Sequence, residues 1–152
     1  MKEEARRAGP DDLARITQLF VEATAELRPE KGGEVWARQT ARDRGPSFDL
    51  DDAGQLVLAG TIDASIVGYA RALAEPLADG GELAVITDIY VERGAREVSL
   101  GELLLGEVIA WATARGCIGV DAIALPGMRA SKNFFEAAGL VARQIVVHKA
   151  LP

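Results

Sequence analysis

The sequence predicts a single α/β domain over residues 1–152: a mixed, mostly antiparallel central sheet of about six strands, flanked by about four helices. Three observations carry that expectation. Short runs rich in β-branched and aromatic residues alternate with stretches whose apolar residues recur at helical spacing. The order is strand, two helices, three strands, helix, strand, helix, strand, and three consecutive strands followed by a strand–helix–strand crossover suit a mixed sheet with helices on both faces. The chain also has the length for one sizeable core, with 49% hydrophobic residues and no internal repeat.

Lys2–Ala8 reads as a short first strand. Gly9-Pro10-Asp11-Asp12 is a helix-start signal, with proline and acids in the first turn. Leu13, Ile16, Leu19, Phe20, Ala23 and Leu27 then form the stripe of a first helix. Arg28–Gly33 breaks it, and a second, weaker helix is expected at about Glu34–Asp43, anchored by Val35 and Trp36. Arg44–Gly54 is a polar loop with Asp49, Asp51 and Asp52, read as a solvated turn or as a rim that attracts a cation. Gln55–Ile62 and Ile66–Ala74 are two strands of a hairpin turned at Asp63-Ala64-Ser65. Pro76–Gly81 is a loop. Glu82–Val91 is apolar on both faces and is expected to sit centrally, covered on both sides. Leu100, Leu103, Leu104, Val108 and Trp111 mark a third helix, Leu100–Arg115, stopped by Gly116. A strand at Ile118–Leu125, a turn at Pro126-Gly127, a fourth helix at Arg129–Ala138 ended by Gly139, and an alternating last strand at Leu140–Ala150 complete the order.

The stretch Asp88–Trp111 is the most informative. A buried strand runs through a basic, glycine-containing turn into a helix N-terminus. Unpaired backbone N–H groups and the positive end of the helix dipole there suit a phosphate. Within the turn, Arg96-Glu97-Val98-Ser99-Leu100-Gly101 follows the strand ending in Val91. This resembles the acyl-CoA loop of the GNAT superfamily of N-acyltransferases, usually Arg/Gln-x-x-Gly-x-Gly/Ala, with Ser99 in place of the first glycine. The later run Asn133-Phe134-Phe135-Glu136-Ala137-Ala138-Gly139-Leu140 is similar to the family's Tyr-x-x-x-Gly-Phe segment, so the likeness covers nearly the whole chain.

The resemblance implies a GNAT-like fold and an acyl-CoA-dependent N-acyltransferase, with acetyl-CoA as cosubstrate and direct attack by a primary amine. It assigns Arg96, Glu97, Val98, Ser99, Leu100 and Gly101 to the pyrophosphate, mainly through backbone N–H groups. It assigns the backbone near Ile89 and Val91 to the pantetheine arm, a form of strand addition. Lys132 and Asn133 are further candidates for contact with the coenzyme. A homodimer through the C-terminal strands is common in proteins of this resemblance.

Other residues compete with that assignment. Ser99-Leu100-Gly101-Glu102 also reads as a capping box, which would occupy the same donors from within. The family often places a glutamate on the strand before the loop, where this chain has Val85 or Thr87, so Asp88 is the nearest carboxylate and the candidate base. The tyrosine that usually protonates the departing thiolate is replaced by Phe135, leaving Tyr90 as the candidate acid. A CoA-binding or regulatory domain without turnover, and a structural domain that binds no cofactor, stay open as alternatives.

Composition narrows the classes. Net charge is −6, a poor basis for nucleic-acid binding and compatible with cationic amine acceptors, whether small molecules or peptides. No apolar run is long enough to span a membrane, and the N-terminus carries no secretory apolar region, so no membrane partner is expected and the cytoplasm is the default. Cys117 is the lone cysteine and His148 the lone histidine, so no metal site is expected.

Overall fold

The structure, a computed structural model, describes residues 1–96 and 99–152. Five strands form one sheet in chain order: β1 (Glu3–Arg7), β2 (Gln55–Ile62), β3 (Ser65–Pro76), β4 (Glu82–Val91) and β5 (Val120–Ala122). The first four are antiparallel to one another, and β5 joins β4 in parallel. The β2–β3 hairpin turns on Asp63 and Ala64, whose φ values of 49° and 71° are both positive, so Ile62 faces Ser65 directly. Two positive-φ residues in a two-residue loop match the twist of the flanking strands.

Each face of the sheet has its own helix. On one side α1 (Leu13–Leu27) lays Ile16, Leu19, Phe20 and Ala23 on Val57, Ala59, Tyr69 and Tyr90. On the other, α3 (Leu100–Arg115) lays Leu100, Leu104, Leu105, Val108 and Trp111 on Leu56, Leu58, Ala70, Ala72, Ala84 and Ile86. The alternation of β2 therefore feeds two cores, which is why seven consecutive residues, Gln55–Thr61, are buried. Phe135 of α4 (Arg129–Ala137) is buried against the α3 side.

Three expectations need correction. The second helix is shorter: α2 spans Gly33–Gln39, and Ala41, at φ 53°, breaks it before a 3-10 turn at Arg42–Arg44. Its start is tight, because a Cβ on Gly33 would lie 2.3 Å from the Leu27 carbonyl oxygen. The strand expected at Ile118–Leu125 is reduced to Val120–Ala122, and β4 is the fourth of five strands, sealed on both edges only where β5 reaches. The sheet has five strands because Leu140–Ala150 forms none. Its alternation is a strand pattern, but a strand exists only through hydrogen bonds to a neighbour. Among the described residues no backbone partner meets it beyond Leu140. No helix is long and apolar enough to cross a membrane among the described residues.

Candidate functional site

The site begins where β4 loses one neighbour. Ala84, Val85 and Ile86 pair with Val120, Asp121 and Ala122, and there β5 ends. On the other edge β4 continues against β3, with Asp88 opposite Arg71, Ile89 opposite Ala70, Tyr90 opposite Tyr69 and Val91 opposite Gly68. The register shifts between Arg71 and Ala72, so Thr87 is a bulge with no partner residue. From Thr87 to Val91 the edge that faces β5 therefore has no strand beside it among the described residues. A cleft opens at this point. Ala23 and Leu27 of α1, Trp36 of α2, and Ala122 with Ile123 at the end of β5 form its walls, and Thr87–Tyr90 lie along it. Met128, Ser131 and Phe135 line its far side, and its volume is about 70 Å³.

A buried ion pair lines the α1 side of the cleft. Arg42 Nη1 donates to Asp88 Oδ2 at 2.7 Å, with the two side chains 5% and 4% exposed. Tyr69 Oη donates to the same Asp88 oxygen at 2.5 Å. Arg42 Nε donates to Thr24 Oγ1 at 2.8 Å, and its guanidinium lies 3.5 Å from the Phe20 ring centroid and 4.8 Å from that of Trp36. Burial, then the Asp88 charge, push the Tyr69 phenol well above its ordinary range, so it is a neutral donor at pH 7. Both of these hydrogen bonds fall on the one Asp88 oxygen, Oδ2.

Tyr90, on the same face of β4, is 9% exposed. Burial, then the charges of Glu26 and Glu22, push its hydroxyl up to about 12. Its Oη is 3.5 Å from Glu22 Oε2. Glu26, one turn further along α1, binds Arg96 Nη2 at 2.7 Å, and that hydrogen bond holds the Glu26 carboxyl below its ordinary range. Arg96 Nε in turn donates to the Val91 carbonyl at 2.7 Å, with the guanidinium 5.3 Å from the Tyr90 ring centroid.

The loop residues divide. Arg96 reaches back to the Val91 carbonyl at the end of β4, Ser99 reaches Glu3 of β1 and Leu100 lies against Gly60 of β2, whereas Glu97 and Val98 lie outside the described residues. The capping box does not form. Ser99 precedes α3 without a side-chain cap, and its hydroxyl donates to Glu3 Oε2 of β1 at 2.8 Å. Leu103 N–H bonds to the Ser99 carbonyl at 3.1 Å, so the first-turn N–H groups of Leu100, Gly101 and Glu102 precede that bond. Leu100 is fully buried under Gly60. A Cβ on Gly101 would meet the Phe134 ring at 3.3 Å, so this glycine lets α4 approach α3. Ile89 and Val91 turn their side chains to the α3 core. Lys132 and Asn133 are exposed on α4, with Lys132 3.7 Å from Glu136.

Arg42, Tyr69, Glu22 and Glu26 escaped the sequence reading. Arg42 sits in the polar run Arg38–Arg44, which gives no sign of burial. Glu22 and Glu26 share an i, i+4 spacing on α1, but that pattern equally describes a solvated helix face.

The same architecture recurs in solved acetyltransferase structures. The chain is similar to an acetyltransferase of Trypanosoma brucei (TM-score 0.69, 23% identity, 99% of this chain and 100% of that one). It is also similar to a putative acetyl transferase of Pyrococcus furiosus (TM-score 0.75, 18% identity, 99% and 100%). A third is AAC(6')-Iy, solved with the bisubstrate analogue CoA-S-monomethyl-acetylneamine (TM-score 0.74, 15% identity, 100% and 99%). At these identities the likeness is one of fold. No curated protein matches by sequence. Residues 13–140 match the acetyltransferase (GNAT) family, and the chain belongs to that family.

Proposed function

We propose that the protein transfers an acyl group, most readily acetyl, from acyl-CoA to a primary amine by direct attack. The observation that carries this reading is the parting of β4 from β5 at Ile86, which leaves the Thr87–Val91 edge without a strand beside a cleft. A pantetheine arm carries amide groups, and that edge can accept it as a strand would. The N-terminus of α3 follows that strand in the chain, and its first-turn N–H groups suit the pyrophosphate. The small volume of the cleft, about 70 Å³, favours a short acyl chain.

The chemistry needs an amine without its extra proton. Asp88, bound to Arg42 and Tyr69, is better suited to fixing the bulge than to taking that proton. Glu22, exposed beside Tyr90, supports a water-relayed path instead, and the net charge of −6 favours a cationic acceptor. The amine nitrogen attacks the thioester carbonyl, a backbone N–H near Ile89 to Val91 steadies the developing oxyanion, and the carbon–sulfur bond breaks as the amide forms. The nitrogen gives up a proton to water as the amide forms, and the departing thiolate takes one up from water. Tyr90, at about 12, can donate a hydrogen bond to it. Handing over its proton to the thiolate, whose thiol has a pKa of about 8.5, would be uphill by roughly 5 kcal/mol. Small-molecule and peptide amines both suit this cleft, and a cytoplasmic setting, where acyl-CoA is available, completes the reading.

A second reading, acyl-CoA binding without turnover, is favoured by the Arg96 side chain seated on the Val91 carbonyl and by Phe135. Acetyl-CoA should raise Tm, and thiol should be released with at least one member of an amine panel. Ala122→Phe, which fills the cleft at the end of β5, should weaken binding at least tenfold. Stabilisation without thiol release selects the second reading; no shift of Tm at millimolar acetyl-CoA defeats both.

A further inference from the structure

We infer that β1 is a self-complementary edge, by which two copies of this chain join antiparallel across a two-fold axis at Ala5. This goes beyond the acyl-transfer reading and does not depend on it. The surface is at the opposite end of the sheet from β5, where Arg143 of the C-terminal segment is tied to Asp121.

Among the described residues β1 pairs only with β2. Asp63 N–H bonds to the Lys2 carbonyl and Ala8 N–H to the Val57 carbonyl, which fixes the phase of that pairing. Antiparallel bonds recur at every second residue, so Glu4 and Arg6 also turn their backbone groups to β2. Glu3, Ala5 and Arg7 turn theirs outward. Among the described residues only the Arg7 carbonyl meets anything there, Arg6 Nη1 at 3.2 Å, and a carbonyl oxygen can accept a second bond.

A bare edge is commonly blunted by charge, most simply by lysines. Here both signs stand in an order that reads as its own complement, Glu3-Glu4-Ala5-Arg6-Arg7. With Ala5 opposite Ala5 of a second copy, Glu4 faces Arg6 and Glu3 faces Arg7, twice each by symmetry. Opposite charges directly across two strands favour the pair, and like charges oppose it. Moving the register by two residues sets Glu4 against Glu4 in one direction and Arg6 against Arg6 in the other. Moving it by one takes the outward bonding groups out of phase and exchanges the faces. The charges therefore select one register and one partner, the same strand of a second copy.

The faces agree with that register. Ala5 packs on the α3 core, and Glu3 on the same side accepts the Ser99 hydroxyl. Glu4 and Arg6 lie on the other side, with side chains 49% and 41% exposed. Arg6 holds Asp12, whereas Glu4 is met only by Lys2 at 3.8 Å among the described residues, and Arg7 is exposed. In the joined edge the Glu3 carboxylate stands between Ser99, at the start of α3, and Arg7 of the second copy.

Light scattering on the full chain at 100 μM in low salt should give twice 16.1 kDa. The mass should fall to the single value in 1 M sodium chloride, where the Debye length is about 3 Å. Glu4→Arg should abolish association with unchanged far-UV circular dichroism, and Arg6→Glu should do the same. Mixing these two variants should restore the doubled mass, because every pair across the axis is then of opposite sign. Hydrogen exchange at the Glu3, Ala5 and Arg7 amides should slow at least tenfold on association, while Glu4 and Arg6, already bonded to β2, hold steady. A wild-type chain that is monomeric at 100 μM, a doubled mass that Glu4→Arg leaves intact, or a mixture of the two folded variants that stays single would each overturn the self-pairing; the second outcome would place the contact on another surface.

Discussion

The two halves of β4 share one strand and one continuous partner, β3, yet do different work. Ala84–Ile86 is hydrogen-bonded on both edges and sends Ala84 and Ile86 into the α3 core, at 0% and 3% exposure. Thr87–Val91 keeps β3 and loses β5, and past the bulge it sends Asp88 and Tyr90 toward α1. The first half is closed by packing. The second keeps a free edge because β5 ends at Ala122, while an ion pair and a phenol fill its α1 face. A strand can thus be rigid and still present backbone to a ligand, provided that a bulge changes its facing at the boundary.

The largest effect should come from breaking the device that holds the second half. Arg42→Met leaves Asp88 buried without its cation, at a cost of about 3–5 kcal/mol in urea unfolding. A variant that unfolds like wild type would show that the pair is not needed to hold the bulge. Next come two truncations that separate the halves. Ile86→Ala should cost about 2–5 kcal/mol. Ile89→Ala, at a half-buried position, should cost less but weaken acetyl-CoA more. Equal losses of stability and of affinity in both would erase the distinction. Tyr90→Phe should leave stability nearly unchanged and lower kcat about 3- to 10-fold, the value of one hydrogen bond. A drop of a thousandfold would mean that Tyr90 transfers its proton after all.

The smallest effect concerns pH. Arg96 holds the Glu26 carboxyl below its ordinary 4.5 in the folded chain. As pH falls the unfolded chain takes up that proton first. The pair's contribution is therefore complete above pH 4.5 and is lost as pH falls through the lower, folded value. The pair is partly exposed, with Arg96 40% accessible, so Glu26→Gln should change stability at pH 7 by less than about 1 kcal/mol. The difference between the two proteins should shrink as pH falls below 4.5, and a difference that grew on acidification would contradict the pairing.

Much of this architecture was legible in the residues themselves. The stripe Leu100, Leu104, Val108, Trp111 identifies α3, although Leu103, read into the same stripe, is 40% exposed, and the patterned hairpin over Asp63-Ala64 identifies β2 and β3. What escaped depends on partners distant in the chain. Arg42 is buried by Phe20, Thr24 and Asp88, none of which its neighbours announce. Ser99 abandons a capping box for Glu3, ninety-six residues away. The Leu140–Ala150 pattern has the propensity of a strand but finds no edge within its own chain.

Amide chemical-shift mapping during an acetyl-CoA titration tests the division of β4 most directly. The account predicts that Ile89 and Val91, with Leu100 and Gly101 at the start of α3, move together at submillimolar ligand while Ala84–Ile86 stay fixed. Shifts confined to Ala84–Ile86, or none at millimolar acetyl-CoA, would contradict it.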